Sequence, residues 1–273
     1  MLKEYLSTIA NAIRAKTGTT EKIKAEDFAD RITNIPSGSE EDFIDAFWEE
    51  YQEGGKRVDY AGAFSGYVWD ANRFKPKYPI VPTKANHIFN FAKKITNLKE
   101  MIEKIQEKNK DFVFDTSKAT VMNGMFQSMD FLTHVPTIST VSCAAPADNP
   151  LSTLFSWNTQ LIEIEKVIFK PDGSQVLSGC FEGLNALRKI TIEGKIGSSV
   201  NMKNSANLET ASIVSIVEAL YEGASGKTLT LSKTAVNNMQ FGENGYTSPQ
   251  SGITYNSWDE LANTKPNWTI SIL

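Results

Sequence analysis

Three phrases of this chain place a phenylalanine six residues ahead of a leucine: Phe126 with Leu132, Phe155 with Leu161, and Phe181 with Leu187. Short apolar, strand-like pieces recur around them, at Lys94–Leu98, Asp111–Phe114, His134–Ile138, Lys166–Phe169 and Lys189–Ile192. With Val113, Val135, Val167 and Ile190 as markers, the steps between strands are 22, 32 and 23 residues. A unit of one short strand and one apolar plug cannot bury its own face. Units of this kind fold only when stacked, so that strands align in a sheet and plugs align in a ladder. The repeat therefore predicts a stack of similar coils, with the longer step carrying an insertion.

The chain ahead of the repeats divides in two. Leu2, Leu6, Ile9 and Ile13 fall on one helical face. A break at Thr17–Thr20 precedes a second helix around Phe28 and Ile32, and Pro36–Ser39 reads as a connector. Two short helices bury little alone. Leu2, Tyr5, Leu6, Ile9 and Ile13 are therefore attachment candidates. The stripe either docks on another protein or folds back on this chain.

From Glu40 to about Phe91 aromatic residues crowd together. Phe43, Phe47, Trp48 and Tyr51 fit one helix face, and Tyr60, Phe64, Tyr67, Trp69, Phe74 and Tyr78 follow among glycines and prolines. Such rings cover the open end of a stack or hold sugars by stacking. Tyr60, Tyr67, Trp69 and Tyr78 are the surface-binding candidates. At the other end, Ser212–Leu220 reads as a helix, Lys227–Leu231 as a strand, the stretch around Trp258 and Leu261 as a helix, and Trp268–Ile272 as a final strand, together a terminating unit. The expected divisions are 1–38, 39–92 and 93–273.

Composition narrows the chemistry. Lys and Arg total 28 against 32 Asp and Glu, which leaves no basic footprint for nucleic acid. No run approaches the length needed to cross a bilayer, and the charged N-terminal turns lack the apolar core of a signal peptide. Cys143 and Cys180 show no CxxC pattern and read as two small buried thiols. The only histidines are His87 and His134, and both read as structural. No G-x-S-x-G elbow is present. Gly223–Thr228 ends like a phosphate-binding loop, but Tyr221 stands where that motif needs glycine, and the order is helix, loop, strand rather than the reverse. No catalytic, cofactor-binding or metal residue is nominated, and no enzyme is expected.

These phrases resemble a family of leucine-rich-repeat-like proteins encoded in phages and prophages, with a repeat similar to the bacterial-surface (BspA-like) class. The resemblance is carried by Ile9–Gly18 with Ile23 and Phe28–Ile32, by Phe47–Gln52 with Phe74–Tyr78, and by Gly226–Val236 with Lys265–Ile270. It implies an α/β protein: a right-handed leucine-rich-repeat-like solenoid with a short parallel sheet behind a small helical N-terminal module. It also implies a virion structural protein of the tail, baseplate or fibre, made in the bacterial host cytoplasm and acting in assembly or host recognition. The partners expected are other phage structural proteins, further copies of the chain (a trimer for a fibre), and a host receptor or glycan. Nucleic acid and membrane insertion are not expected. The alternative is a receptor- or glycan-binding adhesin-like protein.

Overall fold

The computed structural model describes residues 7, 10–14, 40–66, 69, 73–143 and 149–273. The chain mixes helix with short parallel sheets, and no closed barrel forms among the described residues. It divides into two compact units, Met1–Arg57 with Lys75–Tyr78, and Val58–Phe74 with Pro79–Leu273.

In the smaller unit residues 10–14 are helical, and helix α1 spans Glu40–Tyr51. Phe47, Trp48 and Tyr51 lie one helical turn or less apart, and their rings meet at 5.4–5.9 Å. Gln52 ends this helix fully buried. Its Oε1 accepts from the N–H of Lys77 and Tyr78, and its Nε2 donates to Tyr78 O. A buried amide with all these partners ties a distant segment to the helix end at little desolvation cost. The second helix expected around Phe28 and Ile32 lies outside the described residues.

The larger unit is built on five phenylalanines. Phe64, Phe89, Phe126, Phe155 and Phe181 stack in order, with ring centroids 5.2, 5.6, 5.6 and 5.9 Å apart. Each such pair adds about 0.5–1.5 kcal/mol beyond the area it buries. Residues one before, three after and six after each of the last four phenylalanines are also buried, as in Met125, Met129 and Leu132 around Phe126. The backbone joins neighbouring passes in a regular ladder. The N–H of each of the first four phenylalanines, and of the residues two before and two after it, donates to a carbonyl of the next pass. Phe64 donates to Ile88, Phe89 to Met125, Phe126 to Leu154 and Phe155 to Cys180, at 2.7–3.1 Å.

The six-residue offset thus marks three of five passes. Phe64 and Phe89 belong to the same ladder, although residues 39–92 were expected to form a separate cap. On another side of the passes, β1 (His134–Val135) and β2 (Ile138–Ser139) both pair in parallel with β3 (Glu163–Ile168), and β3 pairs with β4 (Lys189–Glu193). The register differs from the expected markers. Val135 faces Ile164 rather than Val167, and Val167 faces Ile138 in the same register. The irregularity between Ile164 and Val167 lies in the pairing of β3 with β4, where Val167 faces Ile192 rather than Ile190. Val113 is exposed, and its neighbour Phe114 makes only an isolated bridge to Ile80.

Lys94–Leu98 is not a strand. Asn97 caps helix α2 (Leu98–Lys108), its side chain accepting from Glu100 N, which is the local chemistry that starts helices. A second sheet orders β5 (Val200–Met202), β6 (Lys227–Leu231) and β9 (Trp268–Ile272), all parallel. Helix α3 (Thr210–Ala219) precedes β6, α4 (Lys233–Asn237) follows it, the hairpin β7–β8 (Tyr246–Thr247, Thr254–Tyr255) comes next, and α5 (Trp258–Asn263) leads into β9. The helix and both long strands of the terminating unit fall where the sequence places them.

Candidate functional site

The nominated residues separate. Leu2, Tyr5, Leu6, Ile9 and Tyr67 lie outside the described residues. Ile13 is 3% exposed, covered by the chain itself. Tyr60 is 1% exposed and offers no face to a ligand, because its position is an inward one of the first pass. Trp69 is half-buried and meets Phe64 and Phe74 edge-on. Tyr78 is also half-buried. Its hydroxyl donates to Glu49 Oε1 at 2.6 Å, and Lys77 pairs with the same carboxylate.

The exposed aromatic surface lies elsewhere. Each pass carries two residues with left-handed backbone, two before and two after its phenylalanine. The earlier set is Gly62, His87, Gly124, Thr153 and Gly179, and the later set is Gly66, Phe91, Ser128, Trp157 and Gly183, all with φ between 53 and 73°. A left-handed residue on each side of the phenylalanine lets every second N–H point along the stack. Glycine adopts this conformation freely, while any other residue carries a cost of about 1–2 kcal/mol. Phe91 and Trp157 keep large rings at such positions, and they stand 56% and 54% exposed. Phe131, in the pass between them, is 48% exposed. Main-chain bonds hold both residues in the ladder, the Phe91 N–H donating to Gln127 O and the Trp157 N–H to Glu182 O. No feature of hydrophobic patterning alone marks Phe91 or Trp157. The signal that would have found them is a bulky residue where the repeat elsewhere has Gly or Ser.

His87 sits in the earlier left-handed set with its ring nitrogens 3.1 and 3.2 Å from the side-chain amides of Asn90 and Asn123. His134 starts β1 beside the Thr133 hydroxyl.

A cavity of about 480 Å³ lies at the carbonyl end of α3. Lys195 Nζ donates to Glu218 O and Lys265 Nζ to Leu220 O, so two cations meet the negative end of the helix. The Glu218 carboxylate accepts from Ser248, Ser251 and Tyr255 hydroxyls at 2.6–2.9 Å. Burial, then repulsion from Lys195, lowers the Lys265 ammonium below the usual lysine range. Burial, then the bond to Glu218, pushes the Tyr255 phenol up to about 12. Glu193 pairs with Lys166 and Glu222 with Lys265. Each charged group lining the cavity therefore already has a protein partner, and the arrangement clamps the β7–β8 hairpin to the helix end.

Among the described residues no group of three or more His, Cys, Asp or Glu side chains is placed to hold a metal ion, and no helix is long and apolar enough to cross a membrane. Comparison with known proteins found no family model, no curated protein and no solved structure that matches this chain.

Proposed function

We propose that this chain is a non-enzymatic structural protein of a bacteriophage particle, a tail, baseplate or fibre component acting in assembly or host recognition. On this reading the stacked passes are a right-handed leucine-rich-repeat-like solenoid, the N-terminal helices attach it to the particle, and its outer surface meets a partner. The phage assignment rests on the sequence resemblance. The binding role is supported by Phe91 and Trp157, two half-exposed rings kept on backbone that favours glycine. Large rings held in water at a conformational cost add little to folding, and strain of this kind collects at binding surfaces.

The second reading, a receptor- or glycan-binding adhesin-like protein, is favoured by the same rings, because exposed flat aromatic faces suit sugar stacking. Mass spectrometry and cryo-electron microscopy of purified particles test the first reading, with a truncation through Ile35 as companion. Density at defined sites, lost on truncation, supports it. Absence from particles sinks it, and a glycan-array signal abolished by Trp157→Ala would then favour the second.

A further inference from the structure

The ladder between passes stops at the fifth phenylalanine. Thr153, Phe155 and Trp157 donate their N–H groups to Ser178, Cys180 and Glu182 carbonyls. The equivalent donors one pass later are Gly179, Phe181 and Gly183, with the same left-handed residues on either side of the phenylalanine. Among the described residues none of these three N–H groups has an acceptor. The chain returns to this pass only at its two ends, where Leu177 N donates to Ser198 Oγ and Ser205 Oγ donates to Leu184 O. Between those points β5 swings away to pair with β6, Val200 facing Leu229 and Met202 facing Leu231. A slot of about 280 Å³ opens there, with Gly179–Glu182 on one wall and Ser199, Asn201, Thr228 and Thr230 on the other.

We propose that this slot takes an extended peptide segment of a partner polypeptide, which adds to the stack as one more joint of the ladder. Its alternate carbonyls accept from Gly179 and Phe181, which line the slot, and then from Gly183, which is buried just beyond its Glu182 end. Three donors on alternate residues form a row, not a converging nest, and each earlier joint matches such a row with carbonyls at i, i+2 and i+4 of one chain. A polyamide supplies that repeat, which is how peptides add to open edges of sheets. A point anion does not supply it, and the Glu182 side of the slot repels one. The opposite wall bears hydroxyls and an amide, so it accepts uncharged or cationic side chains. This inference is independent of where, or whether, the protein sits in a particle.

The test uses the full chain labelled with ¹⁵N and, as probe, an acetylated and amidated peptide copying residues 176–184 with serine for Cys180. Recognition through the main chain tolerates sequence, so a copy of the ladder's own acceptor segment is a fair ligand. In the free protein the Gly179, Phe181 and Gly183 amides should exchange at least a hundredfold faster than those of Thr153, Phe155 and Trp157. Peptide should shift these three signals and slow their exchange at least tenfold. Asn201→Trp, which fills the slot from an exposed position, should abolish the response and lower Tm by only the few degrees that the lost bond from Lys203 N to Asn201 Oδ1 accounts for. Three amides already protected in the free chain would overturn the proposal, as would silence at millimolar peptide. A response that survives Asn201→Trp, or one given by inorganic phosphate in place of peptide, would overturn it too.

Discussion

The Trp157 ring lies against the backbone of Gly183, so that a Cβ built on this glycine would stand 2.9 Å from Trp157 Cε3 and 3.2 Å from Trp157 Cα. Gly183 is thus fixed twice, by φ of 73° and by its neighbour in the stack. Gly183→Ala should destabilise the chain by on the order of 2–3 kcal/mol, combining left-handed strain with overpacking. Gly62→Ala, whose added carbon meets nothing within 4 Å, should cost only about 1 kcal/mol. Chemical denaturation of Gly183→Ala in the wild-type and Trp157→Gly backgrounds separates the two causes. An equal cost in both would remove the ring from the account.

Thr153 is β-branched and sits at φ 53° where the passes on either side have Gly124 and Gly179. Thr153→Gly releases the strain but loosens the unfolded chain. The balance should be a gain on the order of 0.5–1 kcal/mol. A fall in the denaturation midpoint would show that the packing of the Thr153 side chain outweighs the backbone strain.

Asn158 is fully buried where other passes carry Ala92, Met129 and Leu184. Its Oδ1 accepts from Met129 N, and its Nδ2 donates to Phe126 O and Phe155 O. Asn158→Ala strands one donor and two acceptors and should cost about 2–4 kcal/mol. Asn158→Asp should be worse at neutral pH, because a carboxylate cannot donate to those carbonyls, and part of the loss should return on acidification. A pH-independent Asn158→Asp deficit in thermal melts would contradict this.

Both cysteines are buried and unpaired with each other. Burial pushes the Cys143 thiol up to about 12 and that of Cys180 up as well. Neither should react with a thiol reagent at neutral pH until denaturant is added. The linkage follows: the folded chain holds protons that the unfolded chain releases from about pH 8.5 upward. This contribution is complete below that pH and falls as pH rises toward 12. The Cys143→Ala, Cys180→Ala double variant should flatten the alkaline loss of stability. An unchanged slope would assign it to other groups, Tyr255 first among them.

The repeat was legible where phenylalanine and leucine stood at their usual offset. It was not legible at Phe89, where Ile95 takes the sixth place, or at Phe64, which is followed there by Asp70. The terminal strands showed because Lys227–Leu231 alternates polar and apolar residues as a half-buried strand does. Helix α2 was hidden because Ile95 and Leu98 extend an apolar run across the cap at Asn97. Register failed at Val167 because β3 buries two apolar residues, Ile164 facing Val135 and Ile190 and Val167 facing Ile138 and Ile192, and an apolar count does not say which one a marker should use. The exposed rings and the open end of the ladder were invisible for a different reason. They depend on backbone conformation and on where the next pass goes, neither of which side-chain patterning encodes.

From one phenylalanine of the stack to the next the chain uses 25, 37, 29 and 26 residues, yet the rings keep within 5.2–5.9 Å of one another. Spacing is therefore metered by ring thickness and main-chain bonding, while contour length is taken up outside the stack, as by α2 in the longest step. Insertions and deletions between Glu103 and Lys108, beyond the buried Leu98, Met101 and Ile102, can then alter the periphery without moving a single rung. A lineage carrying this chain could remodel what it displays by changing loop length alone, and sequence alignment would lose such relatives well before their rungs ceased to superpose.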